Sequence, residues 1–345
     1  MIRVGIVGGS GYTGVQLMAL LLSHPEVSLK WVTSRKFEGQ PVFETFGALR
    51  SLTDLAFTKY SLDLLGEVDL VFTAVPHGQA MGIVSEVVQH GKRVIDLSAD
   101  FRFQDVALYE QTYQPHTAPE LAKRAVYGLP ELFYGEIKEA DLVGNPGCYP
   151  TSAILASAPL VQEGLWDSHF PIIVDAKSGV SGAGRDPNLT THFPEADEGL
   201  TPYKVLVHRH QPEIASILQK SSNERGLVYF VPHLVPMNRG IVSTVYLRLK
   251  EAIALEDLHR LYEVFYNGKP FVRVLPTGKA PSSHHVRGSN FCDIGLALAP
   301  DGKTVVAMAA IDNLIKGASG QAVQNMNILA GFEESAGLAQ PPLFP

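Results

Sequence analysis

Apolar residues along this chain follow two rhythms. Up to about residue 150, short apolar runs alternate with stretches whose apolar positions recur every three or four residues. Arg3 to Val7, Ser28 to Thr33, Leu70 to Val75 and Arg93 to Leu97 read as strands. Thr13 to Leu22 and Gln79 to Gln89 read as helices, the first ending before His24-Pro25. Strands alternating with helices predict a parallel sheet covered on both faces, an α/β unit. Beyond that point the spacing changes. Thr151 to Glu163 reads as a helix. Pro171 to Lys177, Leu227 to Val235, Val242 to Leu249, Asp293 to Ala297 and Thr304 to Ala309 read as strands, interrupted by one helix, Leu255 to Phe265. This second pattern predicts an α+β domain on a largely antiparallel, mixed sheet. A last helix, Gly320 to Leu329, places Ala322, Met326 and Leu329 at helical spacing, as a helix packing back on the first domain would.

Composition narrows the function more than the fold. A chain of 345 residues, 46% hydrophobic and 18% charged, has core enough for two globular domains. A net charge of −7 without a basic block argues against nucleic acid or an anionic membrane as a partner. No apolar run reaches the length of a membrane span, and the first residues enter a strand rather than a signal segment, so the cytoplasm is the expected location. Cys148 and Cys292 lie far apart and match no metal-ligand spacing; neither a disulfide scaffold nor a metal site is expected. Cys292 starts a strand and reads as structural.

The first strand runs into Gly8-Gly9-Ser10-Gly11-Tyr12-Thr13-Gly14, and a helix follows. Glycines there allow a tight turn and close approach of a pyrophosphate, which then sits on the helix N-terminus. The spacing is one residue off the usual dinucleotide fingerprint, but its place between first strand and first helix supports that role. An NAD site usually has Asp or Glu at the end of the second strand. This chain has Thr33-Ser34-Arg35-Lys36 there. A hydroxyl and a guanidinium bind a 2′-phosphate that an acid would repel, so NADP is expected rather than NAD.

The run Val143-Gly144-Asn145-Pro146-Gly147-Cys148-Tyr149-Pro150-Thr151 presents one thiol at the start of a helix. The helix dipole and unpaired N–H groups favour negative charge there, hence the thiolate, which is the nucleophile of covalent acyl chemistry. A small buried cysteine is the plainer alternative. Further on, Lys177-Ser178-Gly179-Val180-Ser181-Gly182-Ala183-Gly184-Arg185 follows a strand. Such a loop can offer backbone N–H groups, the oxygens of Ser178 and Ser181, and the Arg185 guanidinium to an anion. His208-Arg209-His210-Gln211-Pro212-Glu213 supplies two histidines, the usual partners of a thiolate. Asp96-Leu97-Ser98-Ala99-Asp100-Phe101-Arg102 ends a first-domain strand, where ligands bind in open α/β sheets; Ser98 and Arg102 are therefore site candidates. A thiol, NADP and anion-binding loops together fit reduction of an acyl phosphate through a thioester.

These motifs resemble the N-acetyl-gamma-glutamyl-phosphate reductases, which belong with the aspartate-semialdehyde dehydrogenases. The resemblance rests on Gly8 to Gly14, Asp96 to Arg102, Gly144 to Thr151, Ser178 to Arg185, His208 to Ile214, Asp312 to Gly317 and Gln321 to Gln324. It implies Cys148 as nucleophile and His208 or His210 as acid–base residue, with His208 preferred. It implies a cofactor site of Gly8, Ser10, Gly11, Tyr12, Thr13, Gly14, Ser34, Arg35 and Pro76, with Asn313 near the nicotinamide. Ser98, Arg102, Asn145, Ser178, Gly179, Ser181, Gly182 and Arg185 would meet substrate or phosphate. The implied fold is a Rossmann domain of residues 1–147 and 316–345 with a catalytic, subunit-contacting domain of residues 148–315, assembled as a homotetramer or homodimer.

Similar reductases of lysine biosynthesis act on aminoadipyl phosphate held on a small acidic carrier protein. Ser34 to Gly39 and Ala310 to Asn313 look like that subgroup, whereas Pro-Gly-Cys-Tyr-Pro-Thr and Ser-Gly-Ala-Gly-Arg look like the arginine-pathway enzymes, which are therefore preferred. Ser152 is a mild departure from the small residue common at its place. The scattered Lys and Arg residues form no evident patch for an acidic carrier. A nucleotide sensor that has lost catalysis is disfavoured by the presence of Cys148, His208 and His210 together.

Overall fold

The computed structural model describes residues 1–222 and 225–344. It separates into two units: Met1–Pro146 with Gly184–Asp186 and Ala318–Ala339, and Gly147–Ala183 with Pro187–Gly317 and the tail from Gln340. Two short segments depart from the division expected above. Gly184–Asp186 groups with the first unit because the Arg185 guanidinium donates to the Ser10 carbonyl. The tail groups with the second because Leu343 N–H donates to Arg287 O.

The first unit is built on seven strands: β1 (Ile2–Val7), β2 (Val27–Thr33), β3 (Phe57–Thr58), β4 (Leu70–Thr73), β5 (Arg93–Asp96), β6 (Val126–Tyr127) and β7 (Leu142–Gly144). Their order is β3-β2-β1-β4-β5-β7-β6, and the pairings are parallel. Val4, Ile6, Leu70, Val71 and Phe72 are fully buried, as the inner strands of a doubly covered sheet must be. The order reverses at β1 and β4, and the helix Tyr12–Leu22 starts at that switch point. The shortest strands, β3, β6 and β7, escape the hydrophobic pattern because two or three residues carry no period. The helices Val106–Thr112, Pro119–Arg124 and Pro130–Lys138 were likewise not apparent from it.

The helix Gly320–Ala330 belongs to this unit and buries Ala322, Met326 and Leu329 as their spacing predicts, with polar residues buried beside them. Every residue from Gly320 to Leu329 is buried, including Gln321, Gln324, Asn325 and Asn327. Its amides dock it: Gln321 Nε2 donates to Gly128 O at 2.7 Å, and Asn325 Nδ2 to the same carbonyl at 2.9 Å. Arg93 Nη1 donates to Leu329 O near the helix C-terminus, where a cation is also favoured by the dipole.

The second unit holds β8 (Ile172–Gly179), β9 (Thr201–Pro202), β10 (Val228–Val235), β11 (Ile241–Arg248), β12 (Val272–Val274), β13 (Cys292–Leu298) and β14 (Thr304–Ile311), in the order β12-β13-β14-β11-β8-β10-β9. The sheet is mixed: β8–β10 and β12–β13 pair in parallel, the others antiparallel. The helix Cys148–Gln162 packs on β11 and β14 and is buried from Tyr149 to Val161. Ser152 is accommodated by pairing, its hydroxyl 2.7 Å from that of Ser243 on β11.

Pro159 lies inside this helix and has no N–H to give Leu155 O, the carbonyl four residues earlier. Tyr266, which caps the helix Leu255–Phe265, supplies the missing donor: its hydroxyl reaches Leu155 O at 2.5 Å, while Tyr262 donates to Ala156 O at 2.6 Å. Tyr266→Phe should therefore leave a buried carbonyl unsatisfied and lower stability by about 1–3 kcal/mol. Urea unfolding of the variant reads this directly; an unshifted midpoint would refute the substitution of phenol for amide.

Candidate functional site

In the second unit, the thiol sits at the first turn of its helix. Gly147, in extended conformation (φ −68°, ψ 154°), is the N-cap and Cys148 the first helical residue. Cys148 is half-buried, whereas its helix is buried from Tyr149 to Val161. The peptide before it is held from the side. The fully buried Glu213 carboxylate accepts the Gly147 N–H at 2.8 Å. Thr151 Oγ1 donates to Gly147 O at 2.9 Å. On the other side a Cβ on Gly317, within the π-helical turn Ile315–Ser319, would lie 2.8 Å from the Cys148 Cβ. Only glycine fits there, and π turns recur where a helix is bent to serve a site.

His208 and His210 flank this turn as parts of one ring cluster. Their rings are 4.8 Å apart, and both meet the Tyr149 ring at 6.0 Å. Both are buried. The Nδ1 of His208 accepts the His210 N–H at 3.1 Å, which leaves its ring proton on Nε2. Burial, reinforced by Arg209 and Lys204, pulls the His208 pKa down to about 4, so this ring is neutral at physiological pH. His210 begins the helix His210–Lys220, and Glu213 follows three residues on, on the same face. The face that holds the Cys148 peptide therefore also carries His210. Tyr203 Oη donates to Tyr149 Oη at 3.4 Å, and Tyr149 donates to His233 O at 3.1 Å. Burial pushes Tyr149 well above the usual phenol range and Tyr203 up to about 12, with the Cys148 charge adding to both, so both phenols remain protonated.

The loop after β8 departs from the expected anion nest. The N–H groups of Gly179, Val180 and Ser181 are paired with Gly240 O, Met237 O and Asn238 O. Ser178 Oγ donates to Gly179 O, and Asn313 bridges the two turns by donating to Ser181 Oγ and accepting from Gly240 N. A tight turn against the β10–β11 connection has consumed these donors; Gly179 is required because a Cβ would meet the Asn238–Arg239 backbone at 2.8 Å.

In the first unit, the glycine turn has the shape a dinucleotide needs. Gly8 adopts φ +89°, and its N–H donates to Thr33 Oγ1. A Cβ on Gly14 would lie 2.5 Å from the Gly9 backbone, so this glycine permits close helix–strand packing. A Cβ on Gly11, the N-cap of the helix Tyr12–Leu22, would meet nothing within 4 Å: the helix start is open. Ser34 Oγ donates to Ser10 Oγ at 3.1 Å, tying the end of β2 to this turn. Arg35 Nη2 donates to Gln79 Oε1 at 2.5 Å, and Gln79 N–H donates to Pro76 O. This turn and the end of β2 fit a dinucleotide phosphate and adenosine.

Asp96 to Arg102 forms a buried knot. Asp96 accepts from Thr73 Oγ1 and Ser98 Oγ, both at 2.6 Å, and burial with the nearby Asp100 raises its pKa to about 6. Asp100 accepts from Gly78 N and Ala80 N at the start of the helix Ala80–Gln89. Arg102 is buried and donates to Asn145 O and Leu97 O, while Asn145 donates to Ala318 O. Glu213, Tyr149, Tyr203 and Gly317 carry no role in the sequence reading. Glu213 is signalled only by its i+3 spacing from His210, and Gly317 only by standing in the Asp312–Gly317 motif.

The family profile described as semialdehyde dehydrogenase, NAD binding domain, matches residues 3–140, and the semialdehyde dehydrogenase dimerisation domain matches residues 148–313. An N-acetyl-gamma-glutamyl-phosphate reductase of Geobacter metallireducens is 52% identical over 347 residues, all of both chains; the protein of that name from Methanopyrus kandleri is also 52% identical over 349 residues with the same coverage. In fold, the chain is similar to aspartate semialdehyde dehydrogenase II of Vibrio cholerae (TM-score 0.74, 15% identity, 96% of this chain and 98% of that one). It is similar too to the Candida albicans aspartate semialdehyde dehydrogenase solved with NADP (TM-score 0.73, 16% identity, 96% and 99%). Identity at half of all positions over the full length is decisive, and the chain belongs to the N-acetyl-gamma-glutamyl-phosphate reductase family of semialdehyde dehydrogenases.

Proposed function

We propose that this protein reduces N-acetyl-gamma-glutamyl phosphate to N-acetyl-glutamate semialdehyde and phosphate with NADPH. The observation that carries the reading is the half-buried Cys148 at the head of a sealed helix, its preceding peptide fixed by Glu213. The Cys148 thiolate attacks the acyl carbon; the C–O bond to phosphate breaks and phosphate leaves with the electron pair, forming a thioester. NADPH, when bound, would supply the hydride for the thioester carbon. The histidine pair gives a proton to the carbonyl oxygen and takes it back as the C–S bond breaks, which releases aldehyde and thiolate. His210 is the better acid–base candidate, against the preference for His208 drawn from the resemblance. Its helix face also holds Gly147, whereas the Nδ1 of His208 is already an acceptor in a ring kept neutral.

Ser10 to Thr13 would hold the cofactor pyrophosphate at the helix start, and Ser34 with Arg35 its 2′-phosphate, where no acid stands. Ser178, Ser181 and Asn313 shape the wall after β8. Ser98, Arg102 and Asn145 serve the framework, since their polar groups hold Asp96, main-chain carbonyls and one another. A second copy of this chain is the fitting partner for the outer sheet face, where Tyr229, Ile173 and Tyr246 lie side by side on β10, β8 and β11, each 39–40% exposed. Among the described residues no helix is long and apolar enough to cross a membrane.

The direct assay is reduction of NADP⁺ or NAD⁺ with N-acetyl-glutamate semialdehyde and phosphate, beside carrier-linked aminoadipate semialdehyde. Turnover of the first substrate, with NADP⁺ preferred by roughly tenfold or more, is expected from a charge-assisted phosphate contact. Equal efficiency with NAD⁺ would remove the cofactor assignment, and turnover of the carrier-linked substrate alone the substrate assignment. Cys148→Ser should abolish turnover and leave NADPH affinity nearly unchanged, since a serine is far less ionised near neutrality; retained activity would break the covalent mechanism. His210→Ala should lower kcat by about 10²–10⁴-fold, with His208→Ala affecting kcat much less. The reverse ranking in steady-state kinetics would assign the proton to His208.

A further inference from the structure

Arg185 is carried by a loop of the second unit's sequence yet groups with the nucleotide unit. Gly184, at φ +93°, makes the turn that an L side chain rarely adopts. Arg185 Nη1 donates to Ser10 O at 3.0 Å, and the guanidinium lies 4.7 Å from the Phe46 ring centroid and 5.7 Å from that of Phe37. Phe37 N–H donates to Ser34 Oγ, and Ser34 Oγ to Ser10 Oγ, so these rings and hydroxyls surround one place at the end of β2. Lys36 Nζ lies over the same Phe37 ring at 5.4 Å, and Arg35 is beside it in sequence. Among the described residues no carboxylate forms an ion pair with Arg35, Lys36 or Arg185, in a chain whose net charge is −7.

Lys36 and Arg185 share the Phe37 ring, Arg35 stands next in sequence on Gln79, and cations without a carboxylate partner beside two hydroxyls call for an anion. A guanidinium has five N–H donors in a fixed fork, and one bond to Ser10 O orients that fork. We infer that Arg185 is a cofactor-specificity residue: it reads the 2′-phosphate of NADP together with Ser34, Arg35 and Lys36, and does not bind the phosphate of the substrate. The inference rests on the NADP reading above and goes beyond it, because it moves Arg185 from the substrate loop to the adenosine end of the cofactor.

The test is direct titration of NADPH and NADH into the wild-type protein, Arg185→Ala and Arg185→Lys, followed by quenching of protein fluorescence or calorimetry. Arg185→Ala should weaken NADPH binding by about 10–100-fold and leave NADH within about twofold. Arg185→Lys should fall between, since an ammonium replaces the fork by a point charge. An unchanged NADPH-to-NADH affinity ratio in Arg185→Ala, beside a clear NADPH preference in the wild type, overturns the inference alone. A raised KM for acyl phosphate at saturating NADPH, with NADPH affinity intact, returns Arg185 to the substrate side. A wild-type protein without NADPH preference removes the cofactor reading and this inference with it.

Discussion

The second unit depends on how the chain is held at Gly147, where its buried helix begins. A helix sealed from Tyr149 to Val161 cannot leave its first N–H groups to water, and each one unmet costs as much as a lost hydrogen bond. The Glu213 carboxylate meets the Gly147 N–H, and negative charge at a helix start is also favoured by the dipole. That solution has a chemical consequence. The same helix start that accepts a carboxylate favours a thiolate. Gly317, without a Cβ, closes directly on Cys148 from the other side.

The remainder of that helix is arranged to keep this peptide in place. Pro159 removes one hydrogen bond, and the Tyr266 phenol replaces it from a neighbouring helix. The buried Ser152 hydroxyl bonds both to Tyr149 O in its own helix and to the Ser243 hydroxyl on β11. The nucleotide turn solves the opposite problem. Its helix start is open at Gly11 and crowded at Gly14, so the N-cap is uncovered while the backbone packs tightly one turn on. One helix start is closed by protein and presents a side chain; the other is uncovered at its N-cap.

Where reading and structure diverge, the cause is the same. The Ser178–Arg185 segment has the composition of an anion loop, but the N–H groups of Gly179, Val180 and Ser181 are spent on the β10–β11 turn. Ser98 and Arg102 have the residue types of a binding site, but they tie Asp96 and the Asn145 carbonyl into the end of β5. The last helix buries its apolar residues as their spacing predicts, but it buries amides as well, which bond to Gly128 O. Residue type announces donors and acceptors; only the partner, distant in sequence, decides whether they are spent inside or offered to a ligand.

By itself, the sequence determined what depends on local chemistry and period. The alternation of strands and helices, the later antiparallel pattern, the glycine turn, the missing acid after β2 and the cysteine at a helix start were all legible there. Each is set by neighbours within a few residues, through backbone sterics, helix periodicity and the helix dipole. Tertiary structure alone decided which polar groups are free to act. Glu213 on Gly147, Gly317 against Cys148, Tyr266 for Pro159 and Arg185 over Ser10 join residues far apart in the chain. Such pairings are chosen by burial, which makes an unmet polar group costly and so forces a partner from wherever the fold brings one.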